Sequence, residues 1–172
     1  MMEHYRQKYQ TMLITTLVLS MILLSILIPG GPIETRDFSH ISPSILGLFN
    51  TFLTLLGMLS LLVAYFVYHS KKWAYLSAII IGIAYFLVYV LDLAHIFPRS
   101  PSPMPSLLIA IEIIGTLLSL PLIFLPKRIT SLGVENKPTS LHFNAKIFML
   151  ITLIVIVSLA IIAFATHAAM GE

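Results

Sequence analysis

The sequence predicts an all-α polytopic membrane bundle of five transmembrane helices, with the N-terminus in the cytoplasm and the C-terminus outside. Three observations carry this. The chain is 58% hydrophobic and 10% charged, with a mean hydropathy of +0.98, whereas an ordinary soluble domain is about 25% charged. Five apolar runs approach or exceed the roughly 20 residues needed to cross a hydrocarbon core of about 30 Å. Threaded through a bilayer, those runs put eight of the ten Lys and Arg on one side, which is the bias of cytoplasmic loops.

The first run, 11–28, follows Arg6 and Lys8. A short positive segment before an apolar stretch resembles a signal peptide, but the run is long for that role and no small-residue cleavage site follows it. An uncleaved signal anchor is the expectation. Pro29-Gly30-Gly31-Pro32 ends it, because proline donates no amide and disfavours helix in the residue before it. The second run, 44–68, carries Gly47, Asn50, Thr54, Gly57 and Ala64 at helical spacing. The third, 73–97, starts where Tyr65, Tyr68, Trp73 and Tyr75 crowd a short turn, and aromatic rings favour the headgroup level. Pro98 ends it. The fourth, 104–125, is closed by Pro126, and 126–144 reads as a polar cytoplasmic connector. The fifth is 145–166, with Ala160 and Ala163 for close packing. Small residues let helices approach where lipid supplies little drive for association. Residues 1–172 are expected to form one integral-membrane domain without an internal repeat.

Arg6, Lys8, Lys71, Lys72, Lys127, Arg128, Lys137 and Lys146 fall on the cytoplasmic side of this topology, with Glu3 and Glu135. Arg36 and Arg99 fall outside, with Glu34, Asp37, Asp92, Glu112 and Glu172. Acids contribute little to topology, so their outward bias points to the outer face as the place for a site.

Glu112 is the most unusual residue. It lies inside the fourth run, about 12 Å below its outer end at 1.5 Å per residue. An acid there costs roughly 2.5–3.5 kcal/mol on insertion scales and so needs a partner or a role. Asp92 and His95, three apart at the end of the third run, are expected to share a helical face. Asn50, Tyr85, Tyr89, Asp92, His95, Arg99 and Glu112 form the candidate ligand-binding or ion-pair cluster, below an outer loop bearing Glu34, Arg36, Asp37 and His40.

No catalytic residue is predicted. With no cysteine, disulfides, thiolate metal sites and thiol nucleophiles are excluded. No phosphate-binding loop and no nucleophile elbow occurs. No cofactor is predicted; haem or a divalent metal on His40, His95 and His167 is a weak alternative, because the ligands come from separate segments without ligand spacing. Basic residues spread along membrane edges argue against nucleic acid. The expected partners are the lipid bilayer and a protein partner or second copy, in a plasma or bacterial or archaeal cell membrane. The first functional expectation is a non-catalytic accessory subunit of a larger membrane complex. The alternative is a small-molecule or ion binding or transport protein with an outer-facing pocket around Glu112 and Asp92. A metal- or haem-dependent membrane enzyme is the third.

Overall fold

In a computed structural model, which describes residues 2–133 and 145–170, five helices follow in order: α1 Met2–Ile26, α2 Pro43–Tyr68, α3 Lys72–Leu93, α4 Ser106–Ser131 and α5 Ala145–Ala169. No strand occurs among the described residues. Four helices, α1 to α4, are long and apolar enough to cross a membrane; in α5 the described apolar stretch, Val155–Ala169, is shorter. Glu135, Lys137, His142 and Glu172 lie outside the described residues, as does the side chain of Lys146.

Helices α1 to α4 close a ring. Helix α1 packs on α2 and α4, α3 packs on α4 and α2, and α5 stands outside against α2. The ring encloses Leu13, Leu17, Leu56, Val63, Val67, Ala78, Ile81, Tyr85, Leu122 and Ile129. Its outer wall is apolar, with Leu48, Leu55, Leu76, Ile80, Leu117 and Phe124 exposed. An apolar skin around a bundle with buried polar groups is what a hydrocarbon solvent requires.

The α3–α4 seam depends on two glycines. A Cβ at Gly82 would lie 2.7 Å from the Leu122 Cβ, and one at Gly115 would lie 2.5 Å from the Tyr89 ring. Each glycine admits a side chain of the opposite helix, as small residues do where membrane helices approach closely.

Several boundaries differ from the sequence expectation, each for a local reason. Helix α1 begins at Met2, so the polar segment before the first run is helical too. Helix α3 stops at Leu93 rather than continuing to Phe97. His95 adopts a left-handed φ of 54°, its N–H donates to Asp92 O at 2.8 Å, and the Ile96 N–H donates to Leu91 O at 2.9 Å. This Schellman closure satisfies the last carbonyls of the helix, which ends five residues before the proline. The same closure ends α2 at Ser70, with φ 56° and a Lys71 N–H to Phe66 O bond of 3.0 Å. Pro126 does not close α4, which passes through both Pro121 and Pro126 to Ser131. A proline removes one donor, and in an apolar bundle other groups re-satisfy the freed carbonyls. Of the aromatic residues at the second turn, Tyr65, Tyr68 and Trp73 are exposed, but Tyr75 is buried in the core.

The ring has two chemically different ends. At the basic end Arg6 Nη1 donates to Gly133 O at 3.1 Å, and Gln10 Nε2 caps the α2 carbonyls of Val67 and Tyr68. At the other, here the loop end, the α1–α2 segment is sewn to the α3–α4 segment: Ser100 Oγ donates to Asp37 O at 2.8 Å, and Asp37 N–H to Ser102 Oγ at 3.2 Å. It is also tied to α5, where the Phe38 N–H donates to Ala169 O at 3.2 Å.

Candidate functional site

Chain paths bring three segments together beneath this stitching. The α1–α2 loop turns inward and buries Glu34 and Arg36, α3 presents Asp92 in its last turn, and α4 presents Glu112 about 9 Å from its first residue at 1.5 Å per residue, nearer the end than the sequence estimate because α4 starts at Ser106. The four are 5%, 6%, 8% and 2% exposed.

Arg36 organises the cluster. Its Nη1 and Nη2 donate to Asp92 Oδ1 and Oδ2 at 2.8 and 2.7 Å, the two-pronged geometry that a planar guanidinium matches to a carboxylate. Its Nε donates to Glu34 Oε1 at 2.9 Å, and Nη2 also reaches Glu34 Oε2 at 2.5 Å. Glu34 is fixed in turn by the Arg36 backbone N–H, 3.1 Å from Oε1. The Phe38 ring covers the guanidinium, 5.2 Å from its centroid. Burial alone pulls the Arg36 guanidinium down, but the hydrogen bonds and charges of Asp92 and Glu34 outweigh it and hold it above its ordinary value.

Glu112 lies beside Asp92 at the edge of this network. Its Oε2 has no hydrogen-bond partner, and neither has the buried Tyr89 hydroxyl beside it. Unpartnered buried polar atoms are costly and rare, and each needs a reason. Both residues line a cavity of about 50 Å³ together with Glu34, Arg36, Asn50 and Asp92, and Leu24, Leu27, Phe49 and Leu53 are among its apolar lining. A space of about 10–15 Å³ by this measure admits a water, so the cavity holds a few atoms and no large ligand.

Tyr85 lies one turn deeper. Its ring stacks on Tyr89 with centroids 6.1 Å apart, and its hydroxyl is 3.0 Å from Ser60 Oγ. Asn50 donates from Nδ2 to Thr166 Oγ1 of α5 at 3.3 Å.

The remaining candidates stand apart. His95 is exposed beyond the helix end, so it does not share a helical face with Asp92. Arg99 is exposed and donates from Nε to His95 O at 3.1 Å. Asp37, His40 and His167 are exposed as well. Among the described residues no group of three or more His, Asp or Glu is placed to hold a metal ion. His40, His95 and His167 therefore form no ligand set: the loop turns Glu34 and Arg36 inward, while the three histidines are exposed on separate segments.

Sequence reasoning missed Phe38, Ser60, Ser100 and Ser102. An aromatic residue amid a polar loop was the one available signal for Phe38.

No curated protein and no solved structure matches the chain. The chain belongs to the family described as Domain of unknown function (DUF8051), which matches residues 9–141, from within α1 to beyond α4 and short of α5.

Proposed function

We propose that the protein is a five-span integral membrane protein of a cell membrane that holds a small molecule or ion in its loop-end cavity. One observation carries the reading: Glu112 Oε2 and the Tyr89 hydroxyl are buried without partners, on two residues that line a small cavity. An ionisable group within a span is a binding or transfer site by default. We orient the loop end outward, because the described basic end bears Arg6, Lys8, Lys71, Lys72, Lys127 and Arg128 against Arg36 and Arg99 at the other. Helix α5, 25 residues long, is read as the fifth span.

The test is ligand-induced thermal stabilisation of the full chain in lipid nanodiscs, screened with small ions and polar solutes. Glu112→Gln keeps the shape of the side chain and removes its charge, so the stabilising solute should lose its effect. An equal shift in the variant would sink the reading.

A second reading, an accessory subunit of a larger membrane complex, is favoured by α5. That helix packs against α2, and Leu153, Val155, Ile156, Leu159 and Phe164 remain exposed. Native purification should then bring a larger polypeptide with the chain; a homogeneous particle without one counts against it.

A further inference from the structure

We propose that the ligand of the loop-end cavity is a small protonated amine, of the size of ammonium or methylammonium, which exchanges for a proton on Glu112. The inference rests on the binding reading above and adds the class of ligand and the chemistry of its entry.

The presence of an arginine suggests an anion site at first sight, but four of its five N–H groups are taken. All three guanidinium nitrogens of Arg36 already donate to Glu34 or Asp92. An anion entering the cavity would meet three carboxyl groups and an arginine with one N–H to offer. The charge runs the other way: one guanidinium faces Glu34, Asp92 and Glu112, three carboxyl groups against one cation. A net negative buried cluster is expensive unless something positive joins it.

The open valences have the matching sense. Glu112 Oε2 can accept a hydrogen bond and the Tyr89 hydroxyl can accept one as well as donate one; both atoms are without a partner, on residues at most 2% exposed. An ammonium group carries its positive charge on N–H donors and can serve both at once. A hard metal cation asks for about six or more oxygen ligands, whereas this cavity is walled on its other sides by Leu24, Leu27, Phe49 and Leu53. Those walls suit the methyl group of a small amine and exclude a longer chain.

Glu34, Asp92 and Glu112 carry two negative charges more than Arg36 offsets, and a proton on one carboxyl group halves that excess. Arg36 donates to Glu34 and Asp92, which leaves Glu112 as the group to take the proton. The groups facing Glu112 are Asp92 and Tyr89 from α3, and Glu34 and Arg36 from the loop. Helices α1 and α2 contribute Leu24, Leu27 and the uncharged Asn50 to the cavity. On binding, the Glu112 O–H bond breaks, the proton leaves to the outer water, and the carboxylate electron pair accepts an N–H of the ammonium. One positive charge enters as one leaves.

The experiment uses the full chain in nanodiscs in weakly buffered solution. It is titrated with ammonium and methylammonium chloride, with sodium and potassium chloride, and with choline nitrate and formate at constant ionic strength. Methylammonium should bind with about one proton released per cation, and its affinity should rise about tenfold per pH unit. Glu112→Gln should abolish binding and release together, and Tyr89→Phe should weaken binding about tenfold while release persists. Binding of methylammonium without proton release overturns the exchange. Binding of sodium or potassium in place of the amines, or of nitrate or formate, overturns the ligand class and leaves the cavity as a binding site. Binding of none of them removes the cavity reading itself. The wild-type proton count decides the matter even where a variant fails to fold.

Discussion

Arg36 and Asp92, 56 positions apart, are joined by two parallel hydrogen bonds of 2.8 and 2.7 Å inside the bundle. The pair fixes a loop to the end of a helix with a charge interaction from which solvent is nearly excluded. Its partner groups lie in different segments, so neither a loop motif nor a helical repeat announces it.

Removing one member of a buried pair leaves the other charge without compensation, at a cost of about 3–5 kcal/mol. Arg36→Met should therefore destabilise the protein strongly, with Glu34 and Asp92 left facing one another. Glu34→Gln should cost much less, because Asp92 still neutralises Arg36. Thermal or chemical unfolding in a fixed detergent ranks the two variants; equal costs would contradict the geometry.

Gly115 should resist even the smallest enlargement. Its added Cβ meets the Tyr89 ring at 2.5 Å, so Gly115→Ala should cost about 1–3 kcal/mol as overpacking. Adding Tyr89→Leu should recover part of that loss. A double-mutant cycle reads the coupling, and strict additivity would show that the two helices are not in contact there.

His95 tests a conformational role against a chemical one. An L-residue in the left-handed region pays roughly 1–2 kcal/mol that glycine avoids. His95→Gly should raise stability by about that much, His95→Val should lower it, and neither should change ligand-induced stabilisation in the cavity.

Asp37 supplies the pH dependence. Its exposed carboxylate accepts the Ser39 backbone N–H at 2.8 Å, and that bond, with the Ser39 side chain, holds it below the ordinary carboxylate range. A depressed folded value means the contribution is present above the unfolded pKa, about 3.9, and is lost as pH falls through the folded one. Hydrogen exchange at the Ser39 amide should lose protection over that acid window. In Asp37→Ala the step should vanish.

Orientation is accessible because the sequence contains no cysteine and so no labelling background. Ser39→Cys should react with a membrane-impermeant maleimide on intact cells. Lys72→Cys should react only after permeabilisation. The reverse pattern would invert the proposed topology.

The helices were legible because apolar composition persists for about 20 residues wherever hydrocarbon must be crossed. Their ends were less so. Pro98 follows a helix that had already closed through His95, while Pro126 lies within a helix that continues to Ser131. Glu112 stood out as an acid inside an apolar run, and it is buried against a cavity. Asp92 and His95 show the limit of spacing arguments: three positions along a helix imply a shared face only where the helix continues, and it stops between them. Arg36 and Glu34 looked like two of several loop charges. What distinguishes them from Asp37 and His40 is the direction in which the backbone turns, which depends on contacts with Ser100, Ser102 and Ala169 that are distant in sequence.

Ala169 both accepts the Phe38 N–H and lines the cavity, so the last turn of α5 is mechanically part of the roof. The rest of that helix lies outside the ring, against α2. A sideways load on α5, from a neighbouring protein or from a bilayer of different thickness, therefore has two polar handles on the cavity: the Ala169 carbonyl that holds the roof and the Thr166 hydroxyl that holds Asn50.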